Sequence, residues 1–575
     1  MAGSVVSGVF CELELMVQGA LAHIGLAAEK NHVKLIKKTR DLKRGDVFIP
    51  AGVIKLDDAR KTEILEFVEL SAEELKKKFV NKVFTDKFSA LTFHLDRVQF
   101  CKAVFKEIQD SAGKYGHTKV RINSSVYVNS VNKESTNSKN SLTDLRLEVI
   151  SCHVKKLLEA NGYLVVPELK HNDSSSTLTL STTKPINTEN SREDHVNPQK
   201  SDLEKYFLEK ARLLSLSKNP DEQQLKQQFD GEAGVGSVSI TGRSHNESDI
   251  ENTVRLDLKQ MSLNKQLCPE SEGLAKNIHT VTVIHDGKPT DVMKEAISLA
   301  ECLQSKQCCH CLHVVPHSQV FTQQQIQLTL AALSDQTPQQ SLLVVGPVVA
   351  KHAESKDSKL CVDTADSFYE RRFQQMKDAS EMRNGCDSSD HRQIELLTSA
   401  SIKLDLLGNT CHNTLHLDTS STDCGAESRL GAFVLYNAAR LATLTSRFDQ
   451  AVQEGIYPHL PPLEDIDFTL LREEEDWELV YLYLAAFPDV VRQSVESVFP
   501  QDGKHLAKIH THKVTSFIIA FTKCVSAHYS RYHVLTGGES HLLPLMYARL
   551  YLLKSVHQVL LNILDLVGVE ALSFL

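Results

Sequence analysis

Apolar positions recur at helical spacing most clearly near the C-terminal end. Val514, Phe517, Ile518, Phe521 and Val525 line one face of a helix, and Met546, Leu550, Leu553, Val556, Leu560, Ile563 and Val567 line a second. Gly537 and Gly538 separate the two, and Gly568 stands where a left-handed C-cap is expected. The pattern predicts two antiparallel helices with basic and aromatic residues on their free faces. Upstream, LGAFVLYNAARLATLTSRF and EEEDWELVYLYLAAFPDVVRQSVESVF extend the helical reading back to Leu396, and Pro488 is expected to start a fresh helix.

Elsewhere the period shortens. Residues 1–118 read as a small α+β domain, with a strand and turn at GDVFIPAG and a helix at TEILEFVELSAEELKKKF whose Lys76, Lys77 and Lys78 fall late, as the helix dipole prefers. The basic run KNHVKLIKKTRDLKR before it is either a phosphate contact or a solvated face. Residues 119–169 read strand, polar loop, helix, strand: Leu147, Ile150, Val154, Leu157 and Leu158 share a helix face that Gly162 ends. NIHTVTVIHDG, CLHVVPHS and SLLVVGPVV are buried-type strands separated by helical patterns, and they place the second part of the same parallel α/β domain at 276–395. Between the two parts, 170–275 is Ser/Thr/Asn-rich and too poor in large apolar residues to offset chain entropy. It is expected to be a disordered insertion, interrupted by one helix-like island at SDLEKYFLEKARLLSLS. Residues 396–575 form the helical domain.

Composition sharpens this picture. A chain of 575 residues exceeds one core, so roughly two or three domains are expected. A net charge of -9 still leaves room for a local basic face. Thirteen cysteines without regular spacing read as reduced thiols, hence a cytoplasmic protein. The first residues carry Glu12 and Glu14 and no basic n-region, so no secretory signal is expected. No stretch approaches the roughly 20 apolar residues of a spanning helix, and no membrane is expected.

Few patterns carry chemistry. QCCHCLHVVPH gathers Cys308, Cys309, His310, Cys311, His313 and His317, but neighbours on a strand point to opposite faces, so four converging ligands are not expected. No metal is assigned, and whether Cys308–Cys311 bind one stays open. GEAGVGS lacks the strand, helix and Lys-Ser/Thr ending of a phosphate loop. No cofactor is expected. The carboxylates Glu473, Glu474 and Glu475 read as a solvated helix start. What remains is cationic and aromatic. Lys504, His505, Lys508, His510, His512, Lys513, Lys523, His528, Arg531, His533, Arg549 and Lys554 interleave with Tyr529, Tyr532, Tyr547 and Tyr551, and Phe433 and Tyr436 lie beside Arg440. Cations for phosphates and rings for unstacked bases suit a single-stranded RNA loop. The alternative is that the tyrosines only complete helix–helix contacts.

HKV…FTKCVSAHY…ARLYLLKSVHQVLLNILDLVGVEA resembles the DALR anticodon-binding domain of arginyl-tRNA synthetases, and ASIKLDLLGNT…CGAESRLGAFVLYNAARL resembles the segment leading into it; together they cover 396–575. The resemblance implies anticodon contacts from Phe433, Tyr436, Arg440, His512, Lys513, Tyr529, Arg549 and Leu575. Phe433 replaces a tyrosine, and Leu575 replaces a terminal methionine. RINSSVYVNSVNKESTNSKNSLTDLRLEVISCHVKKLLEANGYLVV is similar to the opening of the class I catalytic domain, and the His-x-Gly-His signature falls on Ser141, Leu142, Thr143 and Asp144. Both histidines are absent, and Asp144 points a negative charge where a triphosphate would lie. The His-Ile-Gly at His23–Gly25 lies outside that context. KHAESKDSK stands where the second signature loop belongs, and in it Lys356 alone could mimic the signature. The expected architecture is therefore a degenerate class I synthetase-like parallel α/β domain followed by a helical-bundle anticodon-binding domain. The expected function is non-catalytic recognition of arginine tRNAs through the anticodon loop, with presentation to a tRNA-modifying partner such as a tRNA methyltransferase. The alternatives are a residual ligase or a protein–protein scaffold.

Overall fold

The computed structural model describes residues 36–37, 42–49, 80–85, 91–118, 125–131, 141–167, 198–216, 253–257, 278, 280–308, 310–334, 338–351, 364–384, 391–418, 429–499 and 505–572. Leu575, Lys356, Cys309, Lys504, His23–Gly25, the glycine-rich GEAGVGS and the helix expected at 62–79 lie outside the described residues.

The N-terminal unit is an antiparallel sheet of β1 (Ile36–Lys37), β2 (Val47–Ile49), β3 (Val80–Thr85) and β4 (Leu91–Leu95) in the order β1-β2-β4-β3. Helix α1 (Arg97–Ser111) follows, its amino end capped by Asp96, which accepts from Gln99 N at 3.1 Å. Phe100, Val104, Phe105 and Ile108 form its buried stripe. The chain then enters β5 (Ser125–Ser130), α2 (Leu142–Ala160) and β6 (Leu164–Val166), the strand–helix–strand expected of a parallel sheet.

Within the stretch expected to be a disordered insertion, the helix-like island is α3 (Pro198–Leu216), and a strand that the polar composition concealed, β7 (Val254–Asp257), is also present. Phe207 and Ala211 of α3 and Leu256 of β7 are buried in one cluster with the elements that follow. The strand predicted at 277–287 is β8 (Thr280–His285), and here the parallel-sheet expectation is corrected. β8 pairs antiparallel with β7 and, across the turn at Asp286 and Gly287, with β9 (Lys288–Pro289). An Asp-Gly pair between two strands favours such a hairpin over a crossover.

Helix α4 (Asp291–Ser305), β10 (His310–Pro316), α5 (Val320–Leu333) and β11 (Gln339–Val345) complete the α/β part. The parallel sheet runs β11-β10-β5-β6, with Leu312 opposite Val128 and Ser341. Alternation divides its faces. Val126, Val128, Leu312, Val314, Leu343 and Val345 bury into a core shared with α2 and the helical domain, whereas Cys311 turns to the core of α3, α4 and α5. The apolar run expected as one strand at 341–349 is split, and its second half, β12 (Val348–Lys351), pairs parallel with β13 (Leu415–Asp418). The region after Leu396 is thus not wholly helical.

Between β12 and β13 lie α6 (Ala365–Asn384) and α7 (His391–Leu407). Helix α8 (Leu430–Gln453) crosses α7 at Gly431, where a Cβ would stand 2.5 Å from Ser401 N. Only glycine permits that approach. The rest is α9 (Glu474–Glu478), a π-helical turn at Leu479–Leu484, α10 (Phe487–Ser494) with Pro488 in its first turn, the short pair β14 (Val495–Ser497) and β15 (Lys508–Ile509), α11 (Thr511–Arg531) and α12 (Leu543–Leu566). Every apolar position predicted for α12 is buried, and Gly568 closes it at φ 70°. The carbonyls at its end are held by cations and an imidazole from elsewhere: Lys156 donates to Asp565 O at 2.7 Å, His153 Nδ1 to Leu566 O at 2.7 Å, and Lys403 to Gly568 O. Helix α8 packs against both α11 and α12 and is the hub of the bundle.

Candidate nucleic-acid interface

Helix α8 presents Phe433, Tyr436, Arg440 and Arg447 at spacings that keep them on one stripe. Phe433, Tyr436 and Arg440 are half-buried and Arg447 is exposed. Where this stripe meets the carboxyl end of α11, the Arg440 guanidinium lies over the Tyr529 ring, 5.2 Å from its centroid. Tyr529 is half-buried, and among the described residues its hydroxyl has no hydrogen-bond partner and Arg440 has no carboxylate partner. A guanidinium stacked on a ring leaves a flat, cationic plate with donors at its edge, which is what a base and its phosphate require.

The other tyrosines expected on this face are engaged. Tyr547 is buried, and Tyr551 donates to Pro461 O at 2.7 Å. Tyr532 donates to Glu475 at 3.1 Å while Arg549 lies 4.8 Å from its ring centroid and donates to His533 O at 3.4 Å. All three side chains are engaged within the protein. His528, expected to be free, is fully buried and bonded through Nε2 to Asp476 at 2.7 Å, and Arg531 pairs with Glu475. The acidic run that reads as solvated therefore clamps the end of α11. Lys508 and His510 both face Glu496.

His512 and Lys513 belong elsewhere. They open α11, seventeen and sixteen residues before Tyr529, so a rise of about 1.5 Å per residue puts them about 25 Å away. Lys513 donates to Gln493 O at 3.1 Å, and burial, followed by the neighbouring His510, Lys513 and His412, pushes the His512 imidazole below its ordinary value. The predicted set thus divides into Arg440 and Tyr529 at the carboxyl end of α11, with Tyr436 and Phe433 one and two turns back along α8, Arg549 against Tyr532, and Lys513, next to His512, tied to α10 at the other end of α11. Arg447, absent from the predicted set, lies seven residues after Arg440 on the same stripe. Lys554 lies over Phe448, 5.7 Å from its centroid, also without a carboxylate partner among the described residues.

The amino end of α2 has a different character. Ser141 Oγ accepts from Asp144 N at 3.2 Å, and Asp144 accepts from Ser141 N at 3.1 Å and from Ser141 Oγ at 2.7 Å, a reciprocal capping box. Leu142 is buried and Thr143 Oγ accepts from Val348 N at 3.1 Å. All four signature positions are committed to local structure. Two residues on, buried Arg146 donates to Gly346 O at 2.9 Å, Asn413 O at 2.7 Å and Thr410 O at 3.1 Å. In the cysteine–histidine stretch, His313 is fully buried. Its Nδ1 accepts from Asn129 and Gln323, each at 3.0 Å, and its Nε2 donates to Gln340 at 3.1 Å. Burial holds the ring neutral, with its pKa pushed down to about 4. Among the described residues no group of three His, Cys, Asp or Glu side chains could hold a metal, and no helix is long and apolar enough to cross a membrane.

Residues 434–575 match the family model of the DALR anticodon binding domain. A Danio rerio protein named DALR anticodon-binding domain-containing protein 3 is 32% identical over 260 residues, 44% of this chain and 45% of that protein. The Mus musculus protein of the same name is 33% identical over 270 residues, 46% of this chain and 49% of that protein. The matches thus span about half the length of these curated relatives. Among solved structures, the Thermus thermophilus arginyl-tRNA synthetase superposes with a TM-score of 0.57 at 15% identity, covering 98% of this chain and all of that one, so the fold is that of an arginyl-tRNA synthetase.

Proposed function

We propose, for a chain whose residues 434–575 carry a DALR anticodon-binding domain on an arginyl-tRNA synthetase-like fold, that it binds arginine tRNAs through the anticodon loop and does not charge them. The observation that carries this reading is the Arg440–Tyr529 plate. There, among the described residues, the ring hydroxyl has no hydrogen-bond partner and the guanidinium no carboxylate partner, and the pair continues the stripe of Phe433 and Tyr436. The second half of the reading is supported at α2. Phosphate binding at a helix amino end uses its unpaired N–H groups and positive dipole. Here Asp144 occupies that end with its own carboxylate, and neither signature histidine is present to stabilise a departing pyrophosphate.

A reader without a charging site is useful when it hands tRNA to another catalyst. The proposed partner is an anticodon-loop modifying enzyme, for example a tRNA methyltransferase, and the proposed compartment is the cytoplasm. Sequencing the RNA that copurifies with the full chain tests the first step: arginine tRNAs should dominate, and a spectrum matching bulk tRNA would sink the proposal. Modification of the anticodon loop in cells lacking the protein tests the second. Unchanged modification of every arginine tRNA would remove the partner. ATP–pyrophosphate exchange with arginine should stay at background, and measurable exchange would restore the ligase alternative.

A further inference from the structure

The plate formed by Arg440 and Tyr529 lies at the end of α11, and that end is held from outside the helical domain. Asp46, between the short 3-10 turn Leu42–Arg44 and β2 of the N-terminal unit, is fully buried. Its carboxylate accepts from Leu95 N at 2.8 Å on one oxygen and from Trp477 Nε1 at 2.8 Å on the other, and its carbonyl accepts from the Tyr481 hydroxyl at 2.6 Å. Trp477, the single tryptophan of the chain, is stacked by Tyr481 at 5.3 Å and covered by the Arg97 guanidinium at 4.9 Å. Glu474 accepts from Leu42 N at 3.1 Å.

Helix α9 is thus gripped on opposite faces. Glu474 and Trp477 fall on one side of its turn and answer to the N-terminal unit, while Glu475 and Asp476 fall on the other. Asp476 holds buried His528 at 2.7 Å, and Glu475 holds Tyr532 at 3.1 Å and Arg531. His528 immediately precedes Tyr529. No flexible surface side chain intervenes between Asp46 and the end of α11.

We infer that the N-terminal unit sets the position of the base-reading end of α11, with Asp46 as the positioning residue that acts through α9. This rests on the reading of Arg440 and Tyr529 as the RNA plate. Removing the Asp46 charge leaves the plate's own residues intact and loosens the element that aims them. The N-terminal unit then contributes to RNA affinity through geometry, independently of any contact it makes with RNA itself.

The full-length chain carries the test in two arms. In the RNA-free protein, Asp46→Asn should speed hydrogen exchange about tenfold at amides 528–536 and leave amides 515–520 at their wild-type rates, because local openings follow the loosened unit. Unchanged exchange at 528–536 overturns the coupling whether or not RNA binds. Uniformly faster exchange along α11 also overturns it, as general destabilisation. In the binding arm, Asp46→Asn should weaken arginine tRNA about tenfold, within the range of ordinary coupling free energies, and combined with Tyr529→Ala it should weaken it no further than Tyr529→Ala alone. Full additivity overturns the inference. Trp477→Phe removes the Nε1 donor together with part of the buried ring and should give a change of the same pattern, which covers the case in which Asp46→Asn does not fold. A wild-type chain that binds no tRNA defeats the proposed function, while the exchange arm still decides the coupling.

Discussion

Two helix ends lie within this one chain and have been treated in opposite ways. At the amino end of α2 every group that could meet a ligand is spent on the protein: Ser141 and Asp144 cap each other, Thr143 is tied to Val348, and Leu142 is buried. At the carboxyl end of α11 the neighbouring polar groups are just as fully engaged, through Asp476, Glu475 and Glu473, yet Tyr529 and Arg440 are left facing each other with bonding capacity to spare. The contrast teaches that binding potential is read from what remains unpaired after the fold has satisfied itself. A rich local count of cations and rings is a poor guide, since most of those around α11 are consumed by structure.

The largest expected effect is on groups the fold has already spent, and acid reads it. His153, on α2, bonds the end of α12, and His313 centres the amide network of the parallel sheet; both are fully buried, with pKa values pushed down by burial from 6.5 to about 4. The unfolded chain binds these protons between pH 6.5 and 4 and the folded chain does not, so stability present above pH 6.5 should fall by roughly 3 kcal/mol per ring across that window. Urea unfolding at neutral and mildly acidic pH measures it, and a flat profile would mean the rings are already charged or solvated. Next in size, Arg440→Ala with Tyr529→Ala should cost arginine tRNA binding about 30- to 100-fold, given about 1–3 kcal/mol per stacked base. Fluorescence anisotropy would show it, and full retention would move the reading site elsewhere. Asp144→Ala should invert that result: about 1 kcal/mol of stability lost with the cap, in a thermal or urea melt, and tRNA affinity within about twofold. The smallest comparison lies along α8 and α11. Arg447→Ala should lower the salt slope of binding by about 1, as for a single phosphate contact, while Lys513→Ala should leave it unchanged. Equal slopes for the two variants would erase the division of the predicted site.

The helical domain was largely legible because its signals are local. The stripes of α11 and α12, the breaks at Gly162 and Gly568 and the restart at Pro488 all depend on residues within a few turns. The pairings that escaped are those whose partners lie far along the chain. β12 meets β13 across two helices, and β7, four residues in a polar stretch, is recruited by β8. Nothing in VRLD announces that partnership. The site was legible as a set of residue types and not as a place. His512 and Tyr529 share one helix, and only the position of α8 decides which end receives a guanidinium. The burial of His528 against Asp476 was hidden for a related reason, because an acidic run looks the same in sequence whether water or an imidazole faces it.

Arg146 carries a last consequence. Its guanidinium feeds three backbone carbonyls, from Gly346, Thr410 and Asn413, on the two loops that lead into the β12–β13 pair. A lysine offers one point of charge in place of a planar fork, and any shorter side chain would strand buried oxygens without donors. The identity of that residue is therefore dictated by counting hydrogen-bond donors, and would be dictated in the same way whatever ligand the protein holds. A position can be irreplaceable in a fold for reasons that owe nothing to a ligand or a reaction.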